Sequence, residues 1–532
     1  MRRTVILLAV WLFCAGAAWP QSNYDLILRN GRIVDGSGNP WYVADVGIRE
    51  GRIAAIGRLC GPDTSGCPAN HTLDASGLVV APGFIDVHTH VEGNIRTRPT
   101  AENFLFDGVT SVITGNCGGS AVDLEQFFSE LRRAGISINL GTLIGHNSVR
   151  REVMGTEQRD PTPEELAKMQ ALVERAMQQG AVGFSTGLLY IPGTFAKTPE
   201  VIALARAAAK HNGIYASHIR NEEDYLFESI QEALEVGRAN GMPVEISHFK
   251  VANQKMWGLS ERSIALVEKA RAEGLDVTVD QYPYTAASTN LGVLLPSWAL
   301  AGGQEKLNER LGEPATRGRI AEEAAAQMRI KYGRDRIDHA VVARCTWDSS
   351  LEGKSIAQIN AEKGRRPVLE DEIETVIEMV GKGGAQMVYH LMNEADVVRI
   401  LEFRYTMVAS DGGVIEFGRG APHPRSYGTN ARVLGRYVRE QGVLRLEDAI
   451  RKMTSLPAQR FRLADRGLVR PGMWADLVVF DPAKVADRAT FEKPHAYSEG
   501  FQYVLVNGEV VIVAAQHTGA RSGKILLGPA AQ

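Results

Sequence analysis

His88 and His90 stand one residue apart at the end of the run Gly83-Phe84-Ile85-Asp86-Val87-His88-Thr89-His90. In a β-strand, residues i and i+2 point to the same face, so the two imidazoles can aim at one point and share a divalent metal. Four more residues of metal-binding type follow short apolar stretches in the same way. They are Cys117 in Gly115-Asn116-Cys117-Gly118-Gly119, His218 in Ala216-Ser217-His218-Ile219-Arg220, His248 in Ile246-Ser247-His248-Phe249-Lys250 and Asp411 in Ala409-Ser410-Asp411-Gly412-Gly413. A lone histidine at a strand end is more often a hydrogen-bonded polar residue than a ligand, and Asp before Gly is usually turn chemistry. All of them at strand ends are better explained by one metal site. Thiolate, imidazole and carboxylate together match Zn²⁺.

For these residues to meet, their strands must lie side by side and parallel. Candidate strands are Phe84–His90, Val109–Thr114, Ile138–Ile144, Val182–Ser185, Ile214–His218, Val244–His248, Val277–Gln281 and Thr406–Ser410, with helical stretches between most of them. One helix is marked at both ends. Thr162-Pro163-Glu164-Glu165 is a capping box with Pro at the first helical position, Leu166, Met169, Val173, Ala176 and Met177 follow at helical spacing, and Gly180 closes it. Alternating strands and helices imply a parallel sheet, and this many repeats imply a closed (β/α)8 barrel, whose active sites sit at the C-terminal strand ends.

The span from about Leu291 to Ile400 is too long for one crossover, and Gln386–Leu391 is a further strand candidate. It reads as an inserted subdomain, with a misassigned seventh strand as the alternative. Both chain ends carry short apolar runs broken by hairpin signals such as Asn30-Gly31, Glu50-Gly51 and Asn507-Gly508. The expectation is an α/β protein: a TIM-type barrel over 83–465 with an insertion near 291–400, plus a small β-sandwich domain assembled from 23–82 and 466–532.

Composition excludes several classes. The 532 residues are 44% hydrophobic and 23% charged with a net charge of −3, which gives no reason to expect nucleic acid or an anionic membrane as partner. Arg2 and Arg3, the apolar run Val5–Phe13 and the small residues Ala15-Gly16-Ala17-Ala18 have the form of a signal peptide over 1–22. The expected location is therefore periplasmic or secreted, with no membrane attachment after cleavage. In an oxidising compartment Cys60 and Cys67, bracketing a turn-rich loop, can pair or remain free thiols, while Cys117 and Cys345 have no obvious partners.

The motif Pro82-Gly83-Phe84-Ile85-Asp86-Val87-His88-Thr89-His90, the strand-end histidines His218 and His248, the run Tyr24-Asp25-Leu26-Ile27-Leu28-Arg29-Asn30-Gly31 and the terminal β-segments together resemble the amidohydrolase superfamily. Many of its members bridge two metals with a carboxylated lysine or a glutamate from the fourth strand. Here that strand reads Val182-Gly183-Phe184-Ser185-Thr186-Gly187, with neither. Cys117 instead matches the cysteine that the D-aminoacylase (N-acyl-D-amino-acid deacylase) family uses.

That resemblance implies a tight zinc held by Cys117, His218 and His248, and a weaker second site formed by His88, His90, Cys117 and Asp411. It implies Asp411 as the catalytic acid–base group, and Lys250, Arg425, Tyr282, Ser288 and Tyr190 as residues surrounding the substrate. The implied partner is a small N-acyl-D-amino acid, cleaved to a carboxylate and a free D-amino acid. The alternative reaction on the same metal site is hydrolysis of another amide, such as a D-residue dipeptide or a cyclic amide. A catalytically silent relative is disfavoured because no metal-type residue is missing. Val251–Gly258 and the loop Asp411–Pro422 depart from the family pattern, and His146 and Arg150 match a family motif without an assignable role. Oligomeric state stays open.

Overall fold

The computed structural model describes residues 24–61 and 67–531. The expected signal segment, 1–22, lies outside the described residues.

The barrel strands run Phe84–Asp86, Val109–Thr114, Asn139–Thr142, Gly183–Gly187, Ile214–His218, Val244–Ile246, Val277–Gln281 and Thr406–Val408. All pair in parallel with their sequence neighbours, the third joining the fourth through its extension Ile144–Gly145. The ring closes between the eighth and first strands, where Asp411 N donates to the His88 carbonyl at 2.9 Å and His90 N to the Gly412 carbonyl at 2.7 Å. These strands are buried on both faces, so polar residues such as Thr110, Ser111, Ser185, Thr186 and Ser217 are enclosed along with the apolar ones and no polar-outward alternation appears. The helix Pro163–Gln179 has its capping box formed, buries Met169, Val173, Ala176 and Met177, and ends on left-handed Gly180.

Three strand ends fall short of the sequence expectation. The first strand stops at Asp86, the sixth at Ile246 and the eighth at Val408, so His88, His90, His248 and Asp411 stand on the loops that follow. At the sixth and eighth strands the backbone turns left-handed at His248 (φ 36°) and Asp411 (φ 50°) and cannot continue a strand, and at the first the His88 N–H donates to the Asp86 carboxylate.

Strands from both chain ends hydrogen-bond into one nine-stranded sheet among the described residues. Its alternation divides it between two cores. Leu26, Leu28, Val46, Val80, Leu477, Val479 and Leu505 pack on one another, while Val79, Ala81, Val478, Phe480, Val504 and Val506 join the main core of the barrel. Cys60 and Cys67 are disulfide-bonded.

Between the seventh and eighth barrel strands, Ala287–Asn290, Ala340–Arg344 and Gln386–Tyr389 form a three-stranded antiparallel sheet. The helices Gly303–Gly312, Pro314–Lys331, Ile356–Glu362 and Leu369–Gly381 pack with it around a separate core. The segment Gln386–Tyr389 is thus an insertion strand and not a barrel strand. The next helix, Glu394–Glu402, returns to the barrel through Val397, Ile400 and Leu401. The inserted sheet rises over the C-terminal strand ends, where its first strand forms one wall of the rim cavity described below.

Candidate active site

Asp86, buried at the end of the first strand, accepts from the backbone N–H groups of His88 at 3.2 Å and Ser410 at 3.1 Å, tying the His88 turn to the Asp411 turn. Burial pushes its carboxyl up to about 6 against those donors. Asn116 donates to the carbonyls of Val87 and Ile113 and anchors the Cys117 turn to the first two strands. Cys117 itself has φ 51°. Non-glycine residues seldom adopt that region, and three of them on one rim mark a backbone bent to aim side chains rather than to pair strands. Gly187 permits the approach of the fourth strand, since a Cβ there would meet the Cys117 carbonyl.

The resulting side-chain geometry is convergent. Cys117 Sγ lies 3.3 Å from His88 Nε2, 3.5 Å from His218 Nδ1 and 3.6 Å from His248 Nε2. Asp411 Oδ1 lies 3.0 Å from His90 Nε2 and 3.6 Å from His88 Nε2. Ligand atoms fall within 4.8 Å of one another in three sets: Cys117, His218 and His248; His88, His90 and Cys117; and His88, His248 and Asp411. Sulfur, imidazole nitrogen and carboxylate oxygen facing a common space form a donor set that fits zinc. Burial works against charge on the Cys117 thiol, but His88 above all, with His218 and His248, overcomes it and holds the thiol well below its ordinary value. Burial also opposes charge on Asp411, and Arg425, His88 and His90 reverse it, holding the carboxyl well below the usual range.

Two carboxylates stand behind these imidazoles, and neither was among the candidates drawn from sequence. Asp280 Oδ2 lies 3.3 Å from His88 Nδ1, and its other oxygen accepts from the His248 backbone N–H at 2.8 Å. Glu222 Oε1 lies 2.9 Å from His248 Nδ1. A usable signal existed for Asp280, an acidic residue inside the candidate barrel strand Val277–Gln281, because buried acids need a partner. Glu222 sits in a polar loop and carries no such mark.

The residues expected around a substrate also gather here. A small cavity of about 40 Å³ behind the metal-type cluster is lined by Tyr190, Lys250, Tyr282, Ser288 and Asp411, among others. Lys250 reaches it from the loop that follows the sixth strand, Val244–Ile246. Its Nζ lies 2.6 Å from Glu222 Oε1 and 2.7 Å from His248 Nδ1. Arg425 pairs with Asp411 Oδ2 at 2.8 Å, lies 4.5 Å over the Tyr282 ring, and donates to the Ser288 carbonyl at 3.4 Å. The Tyr282 hydroxyl is buried with no hydrogen-bond partner among the described residues, so it is open to a ligand. Ser288 Oγ is already engaged, donating to the Met387 carbonyl at 2.8 Å. The Tyr190 ring rests 4.6 Å from His218, and Thr289 donates to its hydroxyl at 3.1 Å.

Outside this cluster a cavity of about 900 Å³ opens to solvent, bounded by His90, Cys117, Tyr190, Asp411 and Arg425 on one side and Ser288, Thr289, Arg344 and Gln386 of the insertion on the other. His146 and Arg150 do not enter it. Both are fully buried and bind Glu200, and the adjoining Asn147 donates to the carbonyls of Gly187 and Tyr190, which steadies the Tyr190 loop.

The model of the amidohydrolase family Amidohydro_3 matches residues 71–512. D-aminoacylase of Alcaligenes xylosoxydans xylosoxydans is 38% identical over 96% of this chain and 98% of its own length. A solved D-aminoacylase described as having a binuclear metal centre superposes with a TM-score of 0.81 at 35% identity, covering 95% of this chain and all of its own. N-acyl-D-glutamate deacylase from Bordetella bronchiseptica, solved with zinc and a phosphonate that mimics the tetrahedral intermediate, gives a TM-score of 0.81 at 36% identity over the same shares.

Proposed function

The chain belongs to the amidohydrolase family, and on that premise we propose that it is an exported, zinc-dependent hydrolase of N-acyl-D-amino acids. The relatives act on that class of linear amide, and one was solved with zinc. The Cys60–Cys67 disulfide suits an oxidising compartment. The observation that carries the reading is the position of Asp411. One carboxylate oxygen faces the imidazoles of His88 and His90, and the other faces Arg425, so metal-facing and substrate-facing chemistry meet on one side chain.

Cys117, His218 and His248 would hold the zinc, with His88, His90 and Asp411 in reach of a second ion. Bound there, zinc supplies Lewis acidity and lowers the pKa of water toward ~7. The protein's own groups do the rest. Lys250 and Arg425 offer positive charge to the substrate carboxylate, and the unpartnered Tyr282 hydroxyl offers a donor to the same end. Held ionised by Arg425 and the histidines, Asp411 accepts a proton from the attacking water at Oδ1 and passes it to the departing amide nitrogen. The C–N bond breaks as that nitrogen is protonated, leaving a carboxylate and a free amine. The two cations favour a substrate bearing a carboxylate over a cyclic imide.

The test is a paired assay of N-acetyl-D- and N-acetyl-L-amino acids with zinc measured on the same sample. Turnover of the D series by zinc-containing protein is expected. Turnover of the L series alone would overturn the substrate assignment and leave the metal site standing.

A further inference from the structure

Glu222 follows the fifth barrel strand in His218-Ile219-Arg220-Asn221-Glu222, and its side chain turns inward with 10% exposure. One oxygen, Oε1, lies 2.9 Å from His248 Nδ1 and 2.6 Å from Lys250 Nζ, and those two nitrogens are themselves 2.7 Å apart. The opposite nitrogen of the same ring, His248 Nε2, faces Cys117 Sγ at 3.6 Å.

This arrangement constrains the histidine. To offer a lone pair from Nε2 to a metal, a neutral imidazole must carry its proton on Nδ1, and that N–H needs an acceptor. The Lys250 ammonium has three donors and no lone pair, so it cannot serve. Left alone with Lys250, the ring would accept from the ammonium at Nδ1 and place its hydrogen on Nε2, toward Cys117, where it cannot ligate. Glu222 is the acceptor in reach, and the same oxygen holds Lys250 in place. His88 has the parallel arrangement with Asp280 at Nδ1, but no ammonium competes there.

We propose that Glu222 is a positioning residue that fixes the ligating tautomer of His248 and joins it to the substrate-facing Lys250. The proposal rests on the zinc reading above and extends it to a residue that touches neither the zinc position nor the reacting atoms. Glu222 thereby makes metal binding and carboxylate recognition depend on one side chain.

The test measures zinc affinity by chelator competition on metal-stripped, full-length protein, so the readout does not depend on turnover. Glu222→Leu keeps most of the volume and removes the acceptor. It should weaken zinc binding by about 10- to 100-fold, the usual cost of losing such a partner. Lys250→Met in the same chain removes the competing ammonium and should restore at least about ten-fold of that loss, which a general packing defect would not allow. Zinc affinity of Glu222→Leu within about two-fold of the parent overturns the proposal, as does a double variant no better than the single one. If Glu222→Leu is not recovered folded, Lys250→Met is compared with the charge-balanced double variant. Weaker binding by the double variant supports the role, and equal binding overturns it. A parent protein with no measurable zinc affinity would instead defeat the functional reading, so the two failures are distinct.

Discussion

The cavity has two unlike walls. On the barrel side Cys117, His88, His218, His248 and Asp411 are largely buried, face one another within about van der Waals contact, and are backed by the carboxylates Asp280 and Glu222. On the other side Ser288, Thr289, Arg344 and Gln386 come from the inserted sheet, are partly exposed, and use their hydrogen bonds mainly on that sheet and on Tyr190. Arg425 joins the two by binding Asp411 on the barrel side and the Ser288 carbonyl on the other. A wall whose groups are committed to each other suits chemistry, which tolerates little displacement. A wall on a separately packed unit can change its side chains without disturbing that chemistry.

Substitutions across the walls should therefore grade from loss of turnover to near silence. Asp411→Asn, on the barrel side, is expected to fold and keep its zinc while kcat falls by about 10²- to 10⁴-fold, the usual range for an acid–base group. Steady-state kinetics with elemental analysis checks this, and ordinary turnover in that variant would remove Asp411 from the acid–base role. At the junction, Arg425→Ala should chiefly raise KM, by about 10- to 100-fold, the equivalent of ~1.5–3 kcal/mol for a charged hydrogen bond. A change confined to thermal stability would show that Arg425 serves only to brace Asp411. On the insertion side, Ser288→Ala should alter KM by less than about three-fold, because its hydroxyl is already spent on the Met387 carbonyl. A larger effect would mean that Ser288 turns toward substrate, and the contrast between walls would then need redrawing.

Much of the fold was legible because its signals are local. The capping box at Thr162 and the apolar spacing after it specify a helix within one stretch of chain, and the strand at Ile214–His218 ends where its sequence says it should. The end of the first strand was misread by four residues and those of the sixth and eighth by two. The local sequence does not reveal a left-handed backbone at His248 or Asp411.

By itself, the sequence determined which residue types stand at the strand ends, and with them the kind of metal chemistry available. A thiol, four histidines and an aspartate in those positions are read from single short motifs. Tertiary structure alone decided which of them meet and what stands behind them. Asp411 and His88 are brought together by closure of the ring, Asp280 reaches His88 from the seventh strand, two strands away around the ring, and Glu222 takes its place between His248 and Lys250. The physical reason is separation along the chain. A motif reports the side chains that one turn or strand can aim, whereas a buried carboxylate finds its partner through packing between elements that are distant in sequence.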